Sequence, residues 1–178
     1  MSTKNIKSKK LIQLAIYELM LIKDFDDISI KEICEKAGVS RMSFYRYYSC
    51  KEDIFIMFCD ETFETFFQKI SHIPNISTRE MLKIFFEGLK KYHREIDILK
   101  KARRESLLLV QFEQYTSYLA GKHGDKLPLY NYYKDSHFSI PFFAGGLFNV
   151  VMRWSNRNFI DTPDEMTDAL MSLLKLEG

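Results

Sequence analysis

The chain has 178 residues, of which 46% are hydrophobic and 28% charged, and it contains only 7 glycines and 4 prolines. This composition suits a packed core and excludes disordered and collagen-like proteins. No uncharged apolar run approaches about 18 residues and no secretory leader pattern opens the chain, so neither a membrane span nor export is expected. Three cysteines without Cys-x-x-Cys spacing favour free thiols in the reducing cytoplasm and no zinc site.

The charge is unevenly distributed along the chain. Residues 1–51 carry ten Lys and Arg against six Asp and Glu, whereas residues 52–178 carry 16 against 18. A mildly basic N-terminal part followed by a mildly acidic C-terminal part is typical of a nucleic-acid-binding protein whose C-terminal part has a separate function.

The N-terminal quarter has the pattern of three helices. Apolar residues recur at three- and four-residue steps within Lys4–Lys23, which predicts the first helix. The second is predicted to begin at Ser29, because Glu32 follows three residues later as in a capping box, and to end at Gly38. Ser40 is expected to cap a short third helix. Two helices joined by a tight turn predict a helix-turn-helix.

Two further capping boxes are predicted in the next segment, one formed by Ser49 and Glu52 and the other by Ser77 and Glu80. The first would start a long fourth helix that ends before Pro74, because proline cannot continue a helix. The second would start a fifth helix with one apolar face.

The C-terminal half is also expected to be helical. Residues 95–120 predict a short helix and a long one, and residues 130–157 predict another long helix, bent at Pro141. The last helix would be capped by Thr162, with Pro163 in its first position. Since no strand pattern is present, the predicted fold class is all-α.

The run ISIKEICEKAGVSRMSFYRYYSCKEDIF resembles the N-terminal DNA-binding domain of TetR-family transcriptional regulators. The landmarks of that domain are Ser29, Ile33, Ala37, Gly38, Val39, Ser40, Tyr45, Tyr48, Lys51 and Glu52. The resemblance covers roughly residues 8–58, with Cys34 where Ala is usual and Met42 where a small residue is common. It implies a three-helix DNA-binding domain in residues 1–50 and a helical regulatory and dimerisation domain in residues 51–178, in which the helix from about 51 to 72 is the connector.

The resemblance assigns roles at the DNA end, because the third helix of such domains enters the major groove. Arg41 and Ser43 are candidates for reading base edges, and the alternative for Arg41 is a solvated or phosphate-bound side chain. Tyr45 and Lys51 are expected to bind phosphate, so that Lys51→Ala would lower the salt dependence of DNA binding. Ser29 either does the same or only caps its helix. The full predicted DNA-binding set is Ser29, Ser40, Arg41, Met42, Ser43, Tyr45, Arg46 and Lys51.

The segment FFAGGLFNVVMRWSNRNFIDTPDEMTDAL is similar to the last two helices of the same family, which pair with a second subunit as a four-helix bundle. A step of small residues permits close helix approach, and the neighbouring apolar residues supply area for a homodimer. The alternative is burial inside one subunit. The predicted interface consists of Gly145, Gly146, Leu147, Val150, Trp154, Leu170 and Leu173.

Aromatic residues are concentrated in the C-terminal helices, where members of this family hold an inducer. A pocket with apolar walls and a few polar tips would suit a hydrophobic or aromatic small molecule. The alternative for each ring is a place in the core or the dimer interface. The predicted pocket consists of Phe85, Tyr92, Phe112, Tyr115, Phe138 and Phe142.

The sequence therefore predicts a homodimeric repressor that binds double-stranded palindromic DNA and is released by a small-molecule effector. The alternative is a regulator of the same fold that activates transcription or responds to a protein partner. No phosphate-binding loop or nucleophile elbow is present and the four histidines lack metal-ligand spacing, so no enzyme activity, cofactor or metal is expected.

Overall fold

The computed structural model describes residues 3–123 and 137–174. Within these ranges the chain consists of helices and their connections, without a strand, which confirms the all-α prediction. The helices are α1 (Thr3–Leu19), a short 3₁₀ helix (Phe25–Asp27), α2 (Ile30–Ala37), α3 (Arg41–Tyr45), α4 (Asp53–Ser71), α5 (Thr78–Lys91), α6 (His93–Lys101), α7 (Ser106–His123), α8 (Ser139–Asn156) and α9 (Pro163–Leu173).

Reciprocal side-chain caps determine where three helices begin. At α2, the Ser29 hydroxyl accepts a hydrogen bond from the Glu32 amide at 3.2 Å, and the Glu32 carboxylate accepts one from the Ser29 amide at 2.9 Å. The same arrangement starts α5 at Ser77 and α9 at Thr162. All three capping boxes are confirmed, because a pair spaced three residues apart needs no distant partner to form.

The start of α4 differs from the prediction. Instead of a box formed by Ser49 and Glu52, the Asp53 carboxylate accepts hydrogen bonds from the amides of Ser49 (2.7 Å) and Cys50 (3.2 Å). Burial raises the pKa of Asp53, but these hydrogen bonds outweigh burial and hold the pKa below its ordinary value. Asp53 thus satisfies two amides of the connection that precedes α4.

Pro141 lies at the start of a helix and does not bend one. Because α8 begins at Ser139, Pro141 is in the first turn, where amides have no acceptor within the helix and the missing N–H of proline costs nothing. The part of the predicted helix that falls on residues 124–136 lies outside the described residues.

The chain forms two compact units. The first unit contains Met1–Phe58 and Asp97–Glu105, and the second contains Cys59–Ile96 and Ser106–Gly178. The first unit therefore extends past the boundary expected at residue 50 and includes a segment that the sequence did not associate with it. No helix within residues 3–123 and 137–174 combines the length and apolarity required to cross a membrane.

The first unit has an apolar core formed by its helices. α1 packs against α2, and α2 contacts α3. The rings of Phe44 and Tyr48 lie 5.4 Å apart, and those of Phe25 and Phe55 lie 5.6 Å apart. The buried aliphatic side chains of this unit include Ile12, Ile16, Ile28, Ile33 and Ile54. This core holds the helix-turn-helix at the surface of the unit.

The second unit is built around aromatic rings. α7 packs against α8, and α5 packs against α9. The Trp154 ring lies 5.6 Å from Phe86 and 4.9 Å from Phe159. Ion pairs border the contact of α5 with α9, where Arg79 pairs with Asp168 at 2.5 Å and Lys83 with Asp164 at 2.7 Å.

Candidate nucleic-acid interface

The turn between α2 and α3 places α3 at the surface. Gly38 has a φ of +65°, a left-handed conformation that a residue without a Cβ adopts at little cost. Its amide and that of Val39 donate to the last carbonyls of α2, which closes the helix. Ser40 then caps α3, because its hydroxyl accepts a hydrogen bond from the Ser43 amide at 3.1 Å.

α3 has one buried side and one exposed side. Phe44 is fully buried and anchors the helix in the core. Opposite it, four side chains of the predicted DNA-binding set are exposed, with Met42 at 76% and Tyr45 at 55% exposure. These four are Arg41, Met42, Tyr45 and Arg46. Two guanidinium groups beside a phenol and a thioether form a cationic surface that can bind phosphate and reach base edges.

The predicted serines are engaged with their own helices. Ser40 and Ser43 lie 3.0 Å apart, oxygen to oxygen, so their hydroxyls form a hydrogen bond with each other. The Ser29 hydroxyl donates to the Glu32 carboxylate at 2.7 Å in addition to its capping role. The structure thus shows these three side chains as helix caps or cap partners, and a contact of theirs with DNA remains a prediction.

Lys51, which the sequence predicts to bind phosphate, has its ammonium group directed into its own unit. Its ammonium group donates hydrogen bonds to the carbonyls of Phe25 (2.5 Å), Asp26 (3.1 Å) and Ile28 (3.0 Å). It also lies 4.4 Å from the centre of the Phe25 ring, in a cation–π contact. Since the three N–H bonds of an ammonium group have three carbonyl acceptors here, none is left for a phosphate. We therefore revise its assignment from phosphate contact to internal support of residues 25–28.

Arg104, which the DNA-binding prediction did not include, contacts the same residues. Its guanidinium group pairs with the Asp26 carboxylate and lies 5.2 Å from the centre of the Phe25 ring, which Lys51 also contacts. It belongs to the Asp97–Glu105 segment of the first unit. No local pattern signals a contact between residues 78 positions apart.

The structure divides the predicted dimer-interface set. Trp154 and Leu170 are buried inside the subunit, and the Trp154 indole donates to the Asp161 carbonyl at 3.1 Å, so their assignment to an interface is wrong. Leu173 is 73% exposed and Gly146 is exposed as well. The remaining three residues, Gly145, Leu147 and Val150, are half-buried.

The predicted pocket set is also divided. Phe138 and Phe142 are 79% and 70% exposed among the described residues, so a pocket role for them stays a prediction. Phe85 and Phe112 lie in ring contact at 5.9 Å. Tyr92 is half-buried at the C-cap of α5.

Tyr115, the last residue of that set, stacks on Phe63 of α4 at 4.0 Å, with ring planes 5° apart. Its hydroxyl donates to the Asp60 carboxylate at 2.7 Å, and burial together with this bond raises the pKa of the phenol. Phe66 of α4 lies 6.1 Å from Phe85, so the rings join into one cluster. The sequence prediction missed the α4 rings, although Phe63, Phe66 and Phe67 recur at helical spacing on a single side of that helix.

A fold of this kind, with an exposed recognition helix on a helix-turn-helix and a helical second unit, defines a DNA-binding transcription regulator. Residues 14–57 match the sequence profile described as "Bacterial regulatory proteins, tetR family". The N-terminal part of the chain is therefore similar to the DNA-binding domain of that family. A comparison with curated protein sequences gave no match.

Three solved structures have the same fold along nearly the whole chain. Lin0861 from Listeria innocua has a TM-score of 0.81 at 17% identity, covering 98% of this chain and 93% of that one. The dihydroxyacetone kinase operon activator DhaS has a TM-score of 0.56 at 18% identity, covering 94% of each chain. NalD, the secondary repressor of the MexAB-OprM multidrug efflux pump in Pseudomonas aeruginosa, has a TM-score of 0.57 at 18% identity, covering 97% of this chain and 96% of that one.

Proposed function

We propose that this protein is a homodimeric repressor that binds a palindromic operator and is released by a hydrophobic or aromatic small molecule. The observation that carries the DNA part is the exposed side of α3, where Arg41 and Arg46 flank Met42 and Tyr45 above a fully buried Phe44. A single five-residue helix contacts few base pairs, so specificity requires a second copy.

Exposed apolar residues on α8 and α9 support the homodimer. Phe138 and Phe142 are followed four residues later by exposed Gly146, which gives a stripe along one side of the α8 region. Leu173 of α9 is exposed to a similar extent. Large apolar side chains grouped in this way indicate a surface that is covered in the functional state. In this proposal the interface is formed by Phe138, Phe142, Gly146 and Leu173, and not by Trp154.

The aromatic cluster of the second unit supports an apolar effector. A chain of ring contacts runs from Tyr115 through Phe63, Phe66 and Phe85 to Phe112. Tyr115 and Asp60 form a polar edge of this cluster. Close by on α7, Gln111 is buried, and its side-chain oxygen has no hydrogen-bond partner among the described residues. A ligand with one donor group and an aromatic body would satisfy that oxygen and replace ring contacts.

The proposal is tested by selecting random DNA with the purified protein at near-physiological salt. Enrichment of a palindrome with half-sites about one helical turn apart is the expected result. A promoter carrying that site is then placed before a reporter, and expression with and without the protein gives the sign of regulation. Loss of DNA affinity on addition of aromatic compounds would support the effector, whereas selection of no sequence by a folded protein would refute the proposal.

Activation is the second candidate function, because DhaS, a protein of the same fold, is described as an operon activator. The reporter separates the two functions, since an activator raises expression from the selected site and a repressor lowers it. A response to a protein partner instead of a small molecule would leave DNA affinity unchanged in the presence of every compound tested.

A further inference from the structure

Met42 is an apolar side chain in the middle of a polar surface. Successive residues of a helix are rotated by about 100°, so Arg41, Met42, Tyr45 and Arg46 span an arc of about 140° on α3. Met42 and Tyr45 occupy the centre of that arc, and the two arginines lie at its edges. Phe44 lies on the opposite, buried side. Of the two side chains at the centre of the arc, the more exposed one is therefore the thioether of Met42.

The serine hydroxyls next to Met42 are already engaged in hydrogen bonds within the protein. The Ser40 and Ser43 hydroxyls are hydrogen-bonded to each other, and Ser40 also caps α3. This leaves Arg41 as the hydrogen-bonding neighbour of Met42 at the start of the helix. The apolar group that a base pair presents in the major groove is the 5-methyl group of thymine. An unbranched, flexible Met side chain can pack on that methyl group without a strict geometry.

We propose that Met42 is a specificity-determining residue that contacts the 5-methyl group of one thymine in each operator half-site. The proposal rests on the sequence-specific DNA binding proposed above, and it names the base, and the group on that base, that Met42 contacts. Burial of the methyl group against the thioether favours thymine over cytosine at that position without any hydrogen bond. It also explains why a bulky residue is accommodated at the centre of the exposed arc.

The test removes the methyl group from the DNA and the thioether from the protein. In the selected palindrome each thymine is replaced in turn by deoxyuridine, in both half-sites together, and the Kd is measured by fluorescence anisotropy at constant salt. With the wild-type protein, one position should lose about fourfold in affinity per half-site, or about 16-fold for the palindrome, which corresponds to one methyl group buried in each half-site. In Met42→Ala the same replacement should change the Kd by less than about twofold, and Met42→Leu should restore most of the loss.

Ile22→Ala is the matched control. Ile22 is 79% exposed in the first unit but lies outside α3, so this variant should retain the wild-type pattern of uracil sensitivity. Wild-type binding that is insensitive to uracil at every position, or an equal loss in Met42→Ala, would overturn the assignment of Met42 while leaving sequence-specific binding intact. A half-site without thymine would overturn it as well. Failure to select any site would instead refute the proposed function and the inference with it.

Discussion

Replacing Lys51 by Ala should destabilise the first unit and leave the ionic part of DNA binding unchanged. In the structure the ammonium group donates hydrogen bonds of 2.5, 3.1 and 3.0 Å to the carbonyls of Phe25, Asp26 and Ile28. Residues 25–28 connect α1 to Ser29, the cap of α2. The lysine therefore supports the segment from which the helix-turn-helix begins.

The magnitude follows from the number and kind of contacts that are lost. A hydrogen bond to a charged group contributes about 1.5–3 kcal/mol, and an exposed cation–π contact about 0.5–1 kcal/mol. Lys51 is half-buried, so water replaces part of what the variant loses. We expect a loss of about 3 kcal/mol, which for a chain of this length lowers the Tm by about 6–12 °C.

Two measurements distinguish this role from a phosphate contact. Thermal unfolding should show the lowered Tm, while Lys31→Ala, which removes only an exposed pair with Glu35, should stay within about 0.5 kcal/mol of the wild type. The slope of log K against log salt should be unchanged at temperatures where both proteins are folded. A phosphate contact would instead lower that slope by about two for a dimer. Wild-type Tm together with a lowered slope would refute the assignment.

Three further predictions concern the caps, the core and the interface. A hydrogen bond from Lys23, followed by one from the Ser29 amide, lowers the pKa of Glu32 to about 2. The stabilising effect of the ionised Glu32 carboxylate is complete above pH 4.5 and is lost as the pH falls towards 2. Glu32→Gln should therefore make the Tm decrease less steeply between pH 4.5 and 2 than in the wild type. A decrease as steep as that of the wild type would contradict the capping role. Trp154→Ala should lower the free energy of unfolding by about 3–5 kcal/mol in denaturant titrations, and a variant that unfolds like the wild type but fails to dimerise would restore the interface assignment. Phe142→Glu should shift sedimentation towards monomer with little change in Tm, whereas the control Ile22→Glu should sediment like the wild type.

The parts of the fold that the sequence predicted correctly depend on residues close together in the chain. Capping boxes at Ser29, Ser77 and Thr162, the left-handed Gly38 and the Ser40 cap each involve groups within about one helical turn. Such contacts form wherever the local spacing is right. The local error at the start of α4 has a simple cause: two acidic residues follow Ser49, and the spacing alone does not decide which carboxylate accepts hydrogen bonds from the preceding amides.

The errors in the candidate site have a different cause. An apolar stripe predicts that a helix face is covered but not whether its own subunit or a partner covers it. Trp154, which the sequence predicts at a dimer interface, is for that reason found buried in its own subunit. A lysine that follows a family pattern has the same sequence signal whether its ammonium group meets phosphate or three carbonyls. Only the folded chain brings Lys51 to Phe25, across 26 positions.

The support of the helix-turn-helix extends beyond the residues that match the family. Residues 14–57 contain Phe25 and Lys51, but the second cation on the Phe25 ring, Arg104, comes from the segment Asp97–Glu105. Arg104 also pairs with Asp26, one of the residues whose carbonyl Lys51 holds. Both cations thus act on the connection that leads into α2. The connection into α2 is consequently supported by contacts that are distant in sequence, while the proposed DNA-contacting side chains all lie within residues 41–46.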